Sequence, residues 1–322
     1  MTQRIPKTDT QILATQYPEP DWIIPDLMPE GYTVLAGLPK LGKSVIGLQI
    51  AEAVASGGVL FNERVKSGRV LYIAVEDTER RLQRRMKENQ HVGTGKIFFF
   101  NGWDALDKSG FAELEKELKR IKYRICILDT LFRMFSPRVR QNDSAQMAAI
   151  GDALQNLCKP GTGLVSGLIG LDHHNKGAYF EDGNNLGNLS GSTAKAGAAD
   201  TLWNCYRKRG QNEMKVEITG RDVDEQDLKL GFDRLTRCYQ LKTETDVREA
   251  SVQEEILKAM MVNKPISVPK IAELTGRDRA HLVREIGELV EKGKVIRGGR
   301  ENKEQLYVKV FSPLMFSGDA KK

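Results

Sequence analysis

The sequence predicts an α/β fold, with a large domain on a mainly parallel sheet followed by a small domain of three helices and a hairpin. Three observations carry that expectation. A β-branched, apolar segment, Tyr32-Thr33-Val34-Leu35-Ala36, runs directly into Gly37-Leu38-Pro39-Lys40-Leu41-Gly42-Lys43-Ser44, and the chain continues as a helix from Val45 to Ala55. Two further apolar segments, 68–77 and 124–129, each deliver acids to a strand's carboxyl end. From Asp246 the pattern changes to short helical stripes closed by two alternating segments.

The first feature is the most specific. The two glycines of the Gly37–Ser44 loop let the backbone turn tightly, so that successive N–H groups and the positive end of the next helix face one point. Such a point holds a phosphate. Lys43 then reaches the β and γ phosphates of a nucleotide, and the Ser44 hydroxyl takes a place in a Mg2+ shell. Gly37, Leu38, Pro39, Lys40, Leu41, Gly42, Lys43, Ser44 and Val45 are therefore the candidate ATP contacts. A Gly-rich turn before an ordinary helix is the competing reading.

The strand over 68–77 ends on Glu76 and Asp77 and opens into an Arg-rich helix. Ligands of open α/β sheets bind at the carboxyl edge, which puts Glu76 near a nucleotide held by the loop. There a carboxylate can orient and polarise the attacking water. An acid at such a junction can instead cap the helix, which is the reading for Asp77. The strand Arg124–Asp129 brings one aspartate, Asp129, to the same edge, to hold the Mg2+ shell opposite Ser44. A strand over 163–171 ends Asp172-His173-His174-Asn175-Lys176, with half of the chain's four histidines. His174 is the candidate contact to a γ-phosphate or attacking water, against a purely structural histidine. Adjacent strand residues point to opposite faces, which argues against a metal held by the pair.

Residues 183–192, rich in Gly and Asn, read as a loop, as do residues 135–143, which carry Arg138 and Arg140. If subunits form a ring, both line its centre and contact DNA phosphates; otherwise they are surface loops. Residues 198–203 and 214–222 read as late antiparallel strands with Arg221 at a tip. From there an arginine can reach a neighbouring subunit's γ-phosphate. A local ion pair with Asp222 or Asp224 is the alternative.

Composition bounds the rest. Of 322 residues, 40% are hydrophobic and 29% charged, the balance of a globular chain able to bury a core. No apolar run approaches the ~20 residues of a membrane span, and the start has no signal-peptide core, so a cytoplasmic protein without membrane partners is expected. The four cysteines lie far apart with no C-x-x-C pair, which favours buried thiols over zinc. The net charge is +6, and residues 251–322 hold 14 Lys and Arg against 10 Asp and Glu, with 35 against 33 elsewhere. A basic tail fits a nucleic-acid partner and also an ordinary solvated surface.

In the tail, Val252, Ile256, Leu257 and Met260 make one helical stripe, and Ile271, Ala272 and Leu274 a second, stopped by Thr275-Gly276. Leu282, Ile286, Leu289 and Val290 form a third, before alternating segments at 293–300 and 305–308. The pattern resembles a winged helix domain. Such domains place the third helix in the major groove and the hairpin on the backbone, with Arg279, His281 and Arg284 facing the groove and Arg297, Arg300 and Lys303 the phosphates. Glu285, Glu288 and Glu291 lie on the same third helix and would repel phosphate if they faced it. Protein docking therefore stays open.

Taken in order, Trp22-Ile23-Ile24-Pro25, the Gly37–Ser44 loop, residues 71–77, Leu128-Asp129-Thr130-Leu131, residues 172–176, Gly191-Ser192-Thr193-Ala194 and Gly220-Arg221-Asp222 resemble the RecA-like P-loop ATPases of plasmid and phage replication, nearest the RepA-type hexameric replicative helicases. The resemblance covers residues 20–240. It implies a homo-oligomeric ring, a hexamer in the family, with ATP and Mg2+ between subunits and single-stranded DNA in the centre. It also implies a catalytic glutamate at Glu76, a Mg2+-associated aspartate at Asp129, a histidine sensor at His174 and an arginine finger in trans, placed at Arg221 with Arg207 and Arg209 nearby. The expected organisation is an N-terminal arm (1–20), the ATPase domain (21–245), the winged helix (246–311) and a flexible tail (312–322). The expected function is a DNA motor of a mobile genetic element. The alternative is a non-unwinding ATP switch, loader or adaptor with a replication or recombination partner.

Overall fold

Strands covered on both faces must be apolar on both, and the central strands of this chain are. The computed structural model of the protein describes residues 6–140, 143–174, 194–208, 211–233, 236–242, 252–253, 255–260, 265–301 and 304–309. The chain divides into two compact units, Met1–Leu241 and Lys242–Lys322.

In the first unit, strands β1 (Gly31–Gly37), β4 (Val70–Ala74), β5 (Ile97–Phe100), β6 (Ile125–Asp129), β7 (Gly167–His173) and β8 (Thr201–Tyr206) run parallel. Strands β9 (Glu213–Gly220), β10 (Gln226–Phe232) and β11 (Tyr239–Leu241) continue the sheet as an antiparallel meander. The spatial order is β11-β10-β9-β8-β1-β7-β6-β4-β5. One departure from expectation is β8. It lies parallel to β1 and pairs antiparallel only with β9, so it is a central strand with a meander attached. A small hairpin, β2 (Val59–Leu60) and β3 (Glu63–Arg64), stands apart from the sheet.

Side chains alternate between two apolar layers. Leu35, Tyr72, Ile127, Ile169, Leu171 and Trp203 face the layer that takes Ile46, Ile50 and Val54 of α2 (Lys43–Ser56) and Leu82 of α3 (Glu79–Glu88). Val34, Leu71, Ile73, Leu128, Leu168 and Leu202 face the layer of α4 (Lys108–Arg120) and α5 (Ser144–Leu157). Caps start three of these helices. Thr78 accepts the Arg81 N–H for α3, Asp107 those of Ser109 and Gly110 for α4, and Asp143 those of Ala145 and Gln146 for α5. Ahead of the sheet, α1 (Asp9–Ala14) closes a capping box with Thr8 and buries none of its residues, whereas Ile23 and Ile24 are fully buried in the core.

The second unit has its own core. Val252, Ile256 and Met260 pack with Ile271 of α7 (Val268–Thr275), with Leu282, Ile286 and Leu289 of α8 (Arg279–Glu291), and with Val295. Strands β12 (Pro265–Ser267), β13 (Val295–Glu301) and β14 (Glu304–Lys309) form a sheet in the order β12-β14-β13. Gly276, at φ 68°, ends α7 in the left-handed region. Leu274, expected inward, is exposed, because Ile271 and Ala272 already fill the inward side of this short helix. Among the described residues no helix is long and apolar enough to cross a membrane.

Candidate functional site

The parallel register gathers the carboxyl ends of four strands. Gly37 on β1 lies opposite His173 on β7, Asp129 on β6 opposite Leu171 on β7, and Ala74 on β4 opposite Asp129. The loop after β1 turns through Lys40 (φ 63°) and Gly42 (φ 114°) into the N-terminus of α2. Gly42 has no room for a side chain, because an added Cβ would lie 2.6 Å from the Tyr239 hydroxyl.

Within this loop the Lys43 ammonium donates to the Gly37 and Leu38 carbonyls at 2.7 and 3.0 Å and lies 3.3 Å from Nδ1 of His173. Burial lowers its pKa. The Ser44 hydroxyl donates to Asp129 Oδ1 at 3.1 Å, and the Tyr72 hydroxyl to Oδ2 at 2.8 Å. Asp129 is buried, and desolvation raises its pKa against those two hydrogen bonds. A hydroxyl beside a carboxylate is a hard oxygen set that suits Mg2+ completed by water and phosphate. Among the described residues no three of His, Cys, Asp and Glu cluster as a metal site, so phosphate and water oxygens would have to supply the remaining ligands.

Glu76 lies just beyond β4 with its side chain 43% exposed. Its Oε1 accepts from Thr130 Oγ1 at 3.2 Å and from Arg133 Nε at 3.0 Å. It caps no helix. Neither does Asp77, whose expected cap belongs to Thr78; Asp77 instead pairs with Arg81 at 3.0 Å and with Arg85. An aspartate one residue outside the cap faces the arginines one and two turns into α3, and charge pairing wins there.

The two histidines divide as strand alternation requires, and it is His173 and not His174 that faces the loop lysine. His173 faces Lys43, with desolvation and the lysine charge lowering its pKa. His174 turns to the other layer, where its Nε2 lies 3.1 Å from Asn204 Oδ1 and burial pulls its pKa down to about 4.

Arg221 makes a local ion pair other than the ones weighed from the sequence. It pairs with neither Asp222 nor Asp224; its NH1 donates to Asp200 Oδ1 at 2.8 Å and its NH2 to the Gly197 carbonyl. Asp200 is in turn fixed by the Tyr32 N–H and by Gln155. Gly220 lies opposite Thr201, the first residue of β8, so Arg221 stands at the sheet edge away from the phosphate loop. Arg207, just past the end of β8, is on the loop's edge and donates to the Lys40 carbonyl and the Tyr239 hydroxyl, each at 3.2 Å.

Arg138 and Arg140 are exposed beyond the 3-10 turn Leu131–Met134. The expected loop at 183–192, Arg209, Lys303 and the tail at 312–322 lie outside the described residues. In the second unit Arg279, Arg284, Arg297 and Arg300 are all exposed. Glu285, by contrast, is buried and takes Gln253 and Arg284, while Glu288 takes Gln253 and Lys292. The outward face of α8 is left with Arg279, Ala280, Val283 and Arg284, and Glu291 at its far end.

Sequence reasoning chose His174 over its neighbour His173, and it missed the roles of Tyr72, Thr130, Arg133 and Tyr239. Only Tyr72 carried a readable signal, a hydroxyl inside the apolar strand Val70–Ala74 that needs a partner.

Residues 2–178 match the AAA domain family. No curated protein matches the chain. Among solved structures, a protein solved as its ATPase domain is similar at 14% identity over 66% of this chain and 85% of that one, with a TM-score of 0.51. A DnaB-like replicative helicase, solved with attention to its interactions with primase, is similar at 14% identity over 66% of this chain, with a TM-score of 0.52. This chain covers 59% of that helicase chain. At this identity the likeness is one of fold alone, a mainly parallel α/β core.

Proposed function

The chain belongs to the AAA domain family, and on that premise we propose that it is a ring-forming ATPase of the RecA-like kind that uses ATP hydrolysis to act on DNA. The observation that carries the reading is the convergence of Lys43, Ser44, Asp129, Glu76 and His173 on one sheet edge. Lys43 and the loop N–H groups would hold the phosphates, and Ser44 with Asp129 would hold Mg2+, which would supply charge neutralisation for the phosphates. Glu76, half in solvent and oriented by Thr130 and Arg133, has the exposure a water-activating base needs. His173 replaces His174 as the group that senses the γ-phosphate. For an arginine acting in trans, Arg207 and Arg221 both stand as candidates, since each guanidinium is engaged within its own chain, Arg207 on the Lys40 carbonyl and Arg221 on Asp200.

The name of one structural neighbour, a DnaB-like replicative helicase, supports a replicative setting. We place the protein with RepA-type hexameric helicases of mobile elements, with single-stranded DNA meeting Arg138, Arg140 and the loop at 183–192. The tail is read as a winged helix on duplex DNA, because the inward turn of Glu285 leaves Arg279 and Arg284 on the outer face of α8 while Arg297 and Arg300 stand on β13. Exposed Leu274, Val283 and Ile296 favour a second reading, a non-unwinding switch whose tail docks a protein partner.

Steady-state ATP hydrolysis with and without single-stranded DNA, on protein sized in the same buffer, tests the reading. Stimulated turnover on a closed ring is the expected result. Unstimulated turnover by a small oligomer would favour the switch, and no turnover with Mg2+ present would overturn both.

A further inference from the structure

Asp172 and Lys195 form an ion pair at 2.9 Å in which the aspartate is fully buried and the lysine side chain 4% exposed. Removing two charges from water is costly, and an interior pair stabilises a fold little or not at all relative to apolar residues of similar volume. What such a pair can supply is a fixed position. This one stands where position bears on the site. Asp172 is the residue before His173 on β7, and its Oδ1 accepts the His173 N–H at 2.8 Å. By alternation its side chain is on the face opposite Lys43, directly behind the histidine. Lys195 comes from α6 (Ala194–Ala198), and its ammonium also lies 5.0 Å from the Phe135 ring centroid. Phe135 closes the 3-10 turn that follows Asp129 and Thr130, and leads to Arg138 and Arg140. One ammonium therefore joins the end of β7, the start of α6 and the segment after β6.

We propose that Lys195 is a positioning residue for ATP turnover, fixing through Asp172 the end of β7 and hence the reach of the His173 ring toward Lys43 and the γ-phosphate. The proposal rests on the ATPase reading above. A displacement of about 1 Å in such a group is enough to cost up to ~100-fold in rate, so loss of the pair should slow turnover while leaving the phosphate loop able to bind.

The test compares full-length wild type, Lys195→Met, the charge-free pair Asp172→Asn/Lys195→Met, His173→Ala, and His173→Ala combined with Lys195→Met. Turnover, KM for ATP, affinity for a fluorescent ADP and thermal midpoint are measured for each. The expected result is a fall in kcat of about tenfold or more for the lysine variants, with ADP affinity within about twofold, and no further fall when Lys195→Met is added to His173→Ala. A folded lysine variant that keeps wild-type kcat, or a loss that adds fully to that of His173→Ala, overturns it. Failure of both lysine variants to fold while His173→Ala folds also overturns it, since the pair is then structural. Absence of turnover in wild type sinks the parent reading, which the wild-type arm shows by itself.

Discussion

At the scale of single residues, the site divides into groups that hold phosphate and groups that act on it. Lys43→Ala should abolish binding of a fluorescent nucleotide, because the buried ammonium is held inside the loop by the Gly37 and Leu38 carbonyls. Glu76→Gln should bind normally and lose roughly 10²–10⁴ in kcat; unchanged turnover would place the base elsewhere. His174 gives a pH prediction. Its folded pKa of about 4 lies below the unfolded 6.5, so between those values the unfolded chain binds more protons. The stability it contributes is complete above pH 6.5 and is lost as pH falls toward 4. His174→Gln should therefore lose less stability than wild type between pH 7 and 5, read from urea midpoints; parallel curves would refute the assignment. Ser44, Glu76 and Asp129 were legible in the sequence because a loop or strand end fixes where each must be. The choice between His173 and His174 was not, because it depends on which layer each strand face meets, and a partner strand sets that parity.

At the scale of elements, α8 shows how burial changes the meaning of a charge. Three glutamates on a helix read as an acidic face until two are found with internal partners, Glu285 buried against Gln253 and Glu288 held by Gln253 and Lys292. Arg279→Ala and Arg284→Ala should each weaken duplex binding, and any of them that meets phosphate should reduce the slope of log K against log salt by about one. Binding that is unaffected by both would move the tail toward protein docking. For α3, Thr78→Ala should cost about 1 kcal/mol in thermal unfolding, since Thr78 and not Asp77 caps it. The longer apolar strands were legible, whereas β5, β10 and β12 were not. β5 is a short, half-buried edge strand, β10 alternates charge with Leu, and β12 begins on a proline that reads as a turn.

At the scale of the whole molecule, the chain divides into two compact units between Leu241 and Lys242. The order of strands across the sheet was not legible, because neither periodicity nor motif says that β8 sits beside β1. That order has a practical consequence for cutting the protein into pieces. The phosphate loop and the strand ends that carry Glu76, Asp129 and His173 all lie before residue 175, and the AAA match ends at residue 178. Yet β1 leans on β8, and the loop backbone is gripped from behind by Tyr239, whose hydroxyl donates to the Leu41 carbonyl while its backbone exchanges two hydrogen bonds with Gln49 of α2. A fragment trimmed to the motifs should thus be an insoluble or inactive product. One ending at Leu241 should bind nucleotide, and a protease nick just ahead of Tyr239 should silence a site that lies some two hundred residues upstream in sequence and one side chain away in space.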